Sequence, residues 1–544
     1  MQCVEMKEKF YKEYSSQFQR TRNVRRNMVF GLLNRCVSLL LPFIVRTVLI
    51  YRFGVLYLGM NSVLSSIFQV LNLAELGFGT AVVYSLYRPV AERDTDSVCA
   101  YLGTFRKIYR IIGLVILAAG LALMPFFPYL VKDNPVPGEM NLYIWYGIFL
   151  ADAVVRYLLY GYKMAIPSAL QRNDLLSKID TVIQIGSSVL KISCLLLSDN
   201  FYYYLLTSLL FTVYRNLLIS HVVNKRYPQF VCRGNISKGQ FAELKLLVGG
   251  LALSKFRGTS RHAIDSICIT AFVSLAMTAI YSNYFLIHSA VVSLSVIICN
   301  AMMASVGNSI AMESRQKNYL DMRRFNFMYM LLAGWASICF LCLYQSFVRL
   351  WIGERLMLHF PEVIALTAYF YVLKMGDIRW VYFEGAGLWW QARYIALAEM
   401  LANICLNLLL VRYFGVLGII LATLITLFFI DFIFSARLLF QQYYCNGKLS
   451  EFFGDHVRYF MVTVLLAVPC IYVCNALTSV MAKTALAGTL NIATSTTFGI
   501  LELLVRLLIC TVFAVVGYFL IYHRTAQFKE AKEWVMSRYS ALRG

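Results

Sequence analysis

The stretch SLLLPFIVRTVLIYRFG, Ser38–Gly54, decides how the chain is read. Almost every residue is apolar, yet Arg46 stands in the middle. Buried in hydrocarbon, a guanidinium costs at least about 2.5–3.5 kcal/mol, so it must face a partner or water. Arg35 lies eleven residues earlier. At 100° per residue that is three turns, so both project from one helix face, roughly 16 Å apart. Gly31, Ser38 and Pro42 share that stripe. The following segment carries a second stripe, Asn61, Ser65, Gln69, Asn72, Glu75 and Gly79, spaced mostly three and four apart. One helix presents cations and the next a polar face with one acid, so both belong beside water.

The rest of the chain sets the context. It has 544 residues, 60% of them hydrophobic and 14% charged, with a mean hydropathy of +0.65. Soluble domains carry roughly 25% charged residues. Long uncharged runs recur, among them 290–310, 330–343 and 417–430. The chain therefore reads as an all-α polytopic membrane protein with about fourteen transmembrane helices. They are expected at 29–53, 57–88 (broken near Gly77–Gly79), 108–131, 141–165, 179–198, 201–224, 246–273, 276–312, 325–348, 363–388, 393–412, 415–440, 459–479 and 500–522. The polar start, 1–27, gives no reason to expect a cleavable signal peptide.

The net charge of +22 follows topology rather than nucleic acid, and no nucleic-acid partner is expected. Basic residues crowd one set of loops, for example Arg20, Arg22, Arg25 and Arg26, then Arg106, Lys107 and Arg110, then Arg315, Lys317, Arg323 and Arg324. That side, with both termini, is expected to be cytoplasmic. The outer loops are short, which disfavours a membrane polymerase or glycosyltransferase with a large polar domain. No nucleotide-binding loop, nucleophile triad or metal cluster stands out, so neither an enzyme nor a cofactor is expected. Cys339 and Cys342 form a CxxC within an apolar run, without a His or second Cys pair nearby. Of the fourteen cysteines, most lie in such runs and read as small packing residues.

Two halves of the chain look alike. VAERDTDSVCAYLGTFRKIYRIIG, Val90–Gly113, and AMESRQKNYLDMRRFNFMYMLLAG, Ala311–Gly334, share an acid–base start, a double-basic pair, aromatics and a closing glycine. KMAIPSALQRNDLLSKIDTVIQI, from Lys163, resembles GLWWQARYIALAEMLANICL, from Gly387. A six-helix offset with unchanged orientation predicts a parallel repeat around a central cavity. The expected plan is a cytoplasmic segment (1–28), an N-lobe of six helices (29–224) and an amphipathic linker (225–245). A C-lobe of six helices (246–441), two extra helices (442–523) and a cytoplasmic tail (524–544) follow. Ser237-Lys-Gly-Gln240 in the linker has the pattern of a helix capping box.

Further charges fall inside apolar segments. Asp152 and Arg156 are i,i+4, and Lys163 lies seven beyond, on the same face of one continuous helix. Arg257, Arg261 and Asp265 are successive i,i+4 positions. Lys374, Asp377, Val381 and Glu384 share a face, with Arg379 to one side. Each group has an internal partner, so structural pairing competes with substrate contact; Arg46 with Glu75 is a further candidate pair. Lys191 and Arg506 read as snorkelling, and His288 as a satisfied cavity histidine. The candidate cavity cations are Arg46, Arg35, Arg261, Arg257, Arg156, Lys163 and Lys374. Glu75, Asp152, Asp265 and Asp377 are the candidate cavity acids or ion-coupling groups. Arginine grips phosphate through a bidentate fork, so such a cavity suits an anionic amphiphile.

A family resemblance joins these readings. LLPFIVRTVLIYRFGVLYLGMNSVLSSIFQVLNLAELGFGTAVVYSLYRPVAERD, Leu40–Asp94, resembles the first two helices of bacterial polysaccharide-biosynthesis (Wzx-like) flippases of the multidrug/oligosaccharidyl-lipid/polysaccharide exporter superfamily. IYSNYFLI (280–287) and ASVGN (304–308) are similar to its eighth helix, and EGAGLWWQARY (384–394) to its tenth-to-eleventh turn. Gln391 and Ala392 stand where an acid is usual, and Ile264 precedes Asp265 where a threonine is usual. The resemblance implies alternating-access movement of an undecaprenyl-pyrophosphate-linked oligosaccharide across a bacterial cytoplasmic membrane for surface or exopolysaccharide assembly. It also implies the bilayer, a polymerase and glycosyltransferases as partners, Na+ or H+ as coupling ion, and Arg46 as the matching first-helix arginine. The alternatives are a multidrug/cation antiporter of the same superfamily and a lipid II-type precursor flippase.

Overall fold

The computed structural model describes residues 17–75, 77–131, 137, 140–445, 448–486 and 495–543. Each expected transmembrane segment falls on helix. The first unit contains α1 (Gln17–Phe53), α2 (Val55–Leu71), α3 (Phe78–Ala91), α4 (Thr95–Leu123), α5 (Leu142–Leu158), α6 (Asn173–Leu197), α7 (Phe201–Arg226) and α8 (Lys238–Phe272). Next come α9 (Leu275–Met312), α10 (Arg315–Ile352), α11 (Phe360–Met375), α12 (Asp377–Gly385) and α13 (Arg393–Ile425), then α14 (Leu449–Leu486), α15 (Ser495–Tyr522) and α16 (Ala526–Arg543). By contact the chain divides into Met1–Ala279 and Ile280–Gly544, a boundary inside the first turns of α9. The seventh expected helix, α8, packs on α2 and α3 in the first unit, whereas the sequence reading placed it in the second lobe.

Short polar residues start the helices where the sequence offers them. Asn141 accepts from the amides of Tyr143 and Ile144, and Asn200 from that of Tyr202. The Ser237 capping box forms in full, and α8 runs on from it without a break into the seventh span rather than ending as a separate surface helix. Asp94 caps α4 by accepting from the Ser97 amide at 3.0 Å.

Among the described residues, nine helices are long and apolar enough to cross a membrane, or ten if the bent pair Leu142–Leu158 and Gly161–Ala169 counts as one span. The expected number was about fourteen. The difference comes from breaks. The second expected helix divides into α2 and α3 around the tight turn Asn72–Glu75 and Gly77, whose φ is 84°. The tenth divides at Gly376 into α11 and α12. The eleventh and twelfth expected helices are both present within Arg393–Tyr444 but count there as one span; the chain turns back at Gly415 (φ 56°, ψ −131°), so that Asn403 donates to Thr423 Oγ1, twenty residues on, at 3.0 Å. Only glycine enters that backbone region freely. Large apolar side chains such as Leu40, Leu197, Leu508 and Val515 remain exposed, as a lipid-facing surface requires.

In the second unit α10, α14 and α15 pack against one another. Gly334 lets them approach: a Cβ there would lie 2.0 Å from the Tyr518 hydroxyl and 2.6 Å from Thr463 Oγ1. Gly334→Leu should therefore overpack this seam and destabilise the unit by about 1–3 kcal/mol, read as a lower thermal unfolding midpoint in detergent. On the membrane surface, hydrogen bonds from Ser97 hold the Asp94 carboxyl below its ordinary value. The cap's contribution is thus present above the unfolded carboxylate pKa and is lost as pH falls through the lowered folded value. Asp94→Asn, which keeps an acceptor, should flatten that acid dependence in a pH series of amide-exchange rates at the start of α4.

Candidate functional site

Five helices of the first unit close around a cavity of about 490 Å³. α1 contributes Ser38, Pro42 and Arg46, at successive i,i+4 positions. α2 adds Asn61, and α5 adds Arg156. α6 turns Gln184, Ser187, Ser188 and Lys191 inward, and α7 adds Tyr204, Ser208, Thr212 and Arg215. Ser38 donates to Gln184 Oε1 at 2.7 Å, and Gln184 Nε2 donates to Asn34 Oδ1 at 3.2 Å, fixing α1 against α6. The lining thus carries four cations, Arg46, Arg156, Lys191 and Arg215, and no acid among the described residues. Two carboxylates stand behind them. Asp152 pairs with Arg156 at 2.5 Å and accepts from Thr212, while Asp180 pairs with Arg215 at 2.6 Å. Arg46 lies within electrostatic range of Tyr204 and of His262 on α8.

A second cavity, of about 410 Å³, borders the first through Arg156. Its wall is the polar stripe of α2, Ser65 and Gln69, continued by Asn72 and Glu75 of the following turn, together with Asp152 of α5. Glu75 accepts a hydrogen bond from the Tyr157 hydroxyl at 2.6 Å.

The expected site residues therefore separate. Arg46 and Arg156 share the first cavity, and Glu75, Asp152 and Arg156 the second. Arg35 lies on α1 outside both linings, with its Nε buried. Arg261 and Asp265 are buried on α8. The side chain of Arg257 lies outside the described residues. Lys163 does not continue the face of Arg156. α5 ends at Leu158, Tyr160 takes a left-handed conformation (φ 56°), and the chain bends by 56°. Lys163 is instead buried, donating to Ser220 at 2.8 Å and Asn224 at 2.7 Å. In the second unit Lys374 is 1% exposed and bound to Asp377 at 2.6 Å, while the Tyr329 hydroxyl donates to the same carboxylate. Arg379 is buried against Asp431 and the carbonyls of Asp431 and Phe432.

Three side chains read differently here. Lys191, expected to snorkel, lines the first cavity, its ammonium 5.5 Å from the Tyr204 ring. Arg506, also expected to snorkel, is buried and donates to Glu502, Asn475, Thr478 and the Cys342 carbonyl. Arg215 was not singled out. Its signal was present: Asp180, Gln184, Ser187 and Lys191 recur at helical spacing on α6, as Tyr204, Ser208, Thr212 and Arg215 do on α7.

A basic, serine-lined hollow inside a helical bundle can gather a multiply charged oxyanion, with arginine forks giving direction and lysine a point charge. The one group of His, Cys, Asp or Glu side chains close enough to hold a metal, among the described residues, lies in the second unit instead.

No protein-family model matches the chain. No curated protein matches it either. Solved structures do. An inward-facing multidrug resistance MATE family transporter of the MOP superfamily aligns with a TM-score of 0.57 at 14% identity, over 76% of this chain and 96% of that one. The lipid II flippase MurJ, in an inward closed conformation, aligns with a TM-score of 0.56 at 14% identity, over 90% and 99%. A MOP superfamily transporter from Pyrococcus furiosus, described as having a binding pocket of reverse polarity, aligns with a TM-score of 0.51 at 14% identity, over 77% and 95%. The chain thus has a multi-pass helical fold like that of these MOP superfamily transporters and of the flippase MurJ. The MATE family transporter and the lipid II flippase are alike near to it in fold.

The geometry predicts a wet pocket. Ser188→Cys and Ser208→Cys should react with a charged, membrane-impermeant thiol reagent faster than the parent chain, and inorganic pyrophosphate should slow them. Ser220→Cys, buried behind the cavity beside Lys163, should stay unreactive; equal labelling of all three would refute the assignment.

Proposed function

We propose that the chain is a flippase for an undecaprenyl-pyrophosphate-linked oligosaccharide. It works by alternating access between two lobes related as a parallel repeat, in a bacterial cytoplasmic membrane with both termini inside. The observation that carries this reading is the convergence of Arg46, Arg156, Lys191 and Arg215 on one cavity. Four cations in a wall without an acid favour a diphosphate head, and the exposed apolar helix faces leave the polyprenyl tail in lipid. No bond is made or broken, so the work is binding and release on opposite sides. Asp152 and Asp180 hold Arg156 and Arg215 when substrate is absent, and a diphosphate competes with them for those guanidinium groups. Glu75, on the neighbouring polar wall with Tyr157 as its donor, is the proposed ion-coupling acid. Arg35, Arg257 and Arg261 are assigned to later contacts with the moving head.

The sequence resemblance over Leu40–Asp94 favours the oligosaccharide-lipid branch over the two alternatives. The cavity's sign also disfavours organic cations, which four basic side chains repel. Pocket polarity does vary on this fold, as the description of the Pyrococcus furiosus protein states.

Arg46→Ala should lower surface-polysaccharide export by at least about tenfold, the equivalent of one lost charge-assisted contact of about 1.4 kcal/mol or more. Lipid-linked precursor should accumulate in the inner leaflet, and Arg46→Lys should recover part of the flux. Normal export with no precursor build-up would refute the cavity role. Efflux of a cationic dye, blocked by Glu75→Gln, would favour the antiporter instead.

A further inference from the structure

Cys342 on α10, Cys470 and Cys474 on α14 and Cys510 on α15 bring their sulfurs together, all within 4.8 Å of one another. Cys342 Sγ lies 4.0 Å from Cys470 Sγ, which lies 3.7 Å from Cys510 Sγ. All four are buried, Cys470, Cys474 and Cys510 completely. We propose that these four cysteines form a tetrahedral thiolate site for one soft divalent cation of the zinc type, clamping three helices of the second unit.

The geometry supports a metal on three counts. Four sulfurs at about 2.3 Å from a central zinc are about 3.8 Å apart along each tetrahedral edge, which the separations of 3.7 and 4.0 Å bracket. The set joins an i,i+4 pair on one helix face to single donors from two other helices, so each side of the hollow supplies a ligand. Four soft sulfurs without a nitrogen or oxygen donor select zinc or a similar thiophilic ion over magnesium or calcium.

Charge is also provided for. Binding converts four thiols and one divalent cation into a complex of charge −2, with four protons passing to solvent; nothing is oxidised or reduced. Beside the site, Arg506 and Arg349 both bind the single carboxylate of Glu502, leaving one positive charge in surplus. Arg506 also donates to the Cys342 carbonyl at 3.1 Å, tying that surplus to a ligand's own backbone. Glu502 further accepts from Ser346, so the cation pair is held in place. The sequence shows no second cysteine pair near Cys339 and Cys342 because the partners of Cys342 lie 128 or more positions away, and Cys339 is not one of the four.

The test uses the full chain, purified in detergent under reducing conditions with any affinity tag removed. Elemental analysis should give about one zinc per chain. Exchange with Co2+ should give the intense visible absorption and sulfur-to-metal charge transfer of a tetrahedral thiolate centre. The double variant Cys470→Ser/Cys474→Ser should fall below about a tenth of that stoichiometry, while Cys194→Ser keeps it. The cobalt spectrum of the parent chain decides the matter even if the double variant does not fold. Parent protein that stays metal-free after zinc supplementation and gives no cobalt–thiolate absorption overturns the proposal. So does an intact mass showing a disulfide among the four, or a double variant that retains its zinc.

Discussion

A charged side chain inside hydrocarbon must be neutralised by a partner or kept beside water, and this constraint organises the whole chain. Several intramembrane charges take the first course. Arg379 closes on Asp431 and two backbone carbonyls, Lys374 on Asp377, and Arg506 on Glu502. Lys163 reaches two neutral acceptors on α7. Arg379 and Lys163 tie one element to another in this way, and Arg506, paired within its own helix, reaches α10 and α14 through the Cys342 carbonyl and Asn475. Arg156 and Arg215 combine the two courses, each paired with a carboxylate while lining the first cavity, and Arg46 and Lys191 line the same hollow.

That division gives the two units different characters. In the second, beside a cavity of about 530 Å³ whose wall includes the acid Glu502 with Arg349 and Arg506, buried ion pairs and a sulfur-rich seam hold α10, α14 and α15 together in one assembly. The aromatic core around Phe327, Tyr459 and Tyr522 adds to it. In the first, the same kinds of residue leave a cavity, because small side chains line it. Ser38, Ser187, Ser188 and Ser208 fill little volume and present hydroxyls. Asp152 and Asp180 sit one layer behind, close enough to orient the arginines without occupying the space. A ligand that competes for those guanidinium groups would break the Asp180–Arg215 link between α6 and α7 and free Asp152, which Thr212 of α7 also binds, from its pair within α5.

Helix breaks serve the same arrangement. Asn72–Glu75 and Gly77 interrupt the second span where Glu75 meets the α5 tyrosine. The bend at Tyr160 carries Lys163 away from the cavity and into contact with α7. Backbone freed from helical hydrogen bonding at such places is tolerated in a membrane only within protein or beside water, and both breaks lie among polar side chains. The same fold occurs in a multidrug resistance MATE family transporter and in the lipid II flippase MurJ.

The sequence by itself determined what depends on neighbours along one helix. Hydropathy located every apolar segment, the Gly77–Gly79 break and the Ser237 capping box, and periodicity put Arg46 on a polar stripe and Asp152 beside Arg156. The tertiary structure decided what depends on residues far apart in the chain. Lys191 and Arg506 both read as snorkelling from apolar helices, yet each lines a cavity, and Arg506 also binds Glu502 one turn earlier on its own helix. Lys163 shares a face with Arg156 only if the helix continues, and a single left-handed residue ends it. Arg215 needed Asp180, and Cys342 needed three cysteines on two other helices. Periodicity fixes a side chain's direction about its own axis; only the packing of several helices fixes what it meets there.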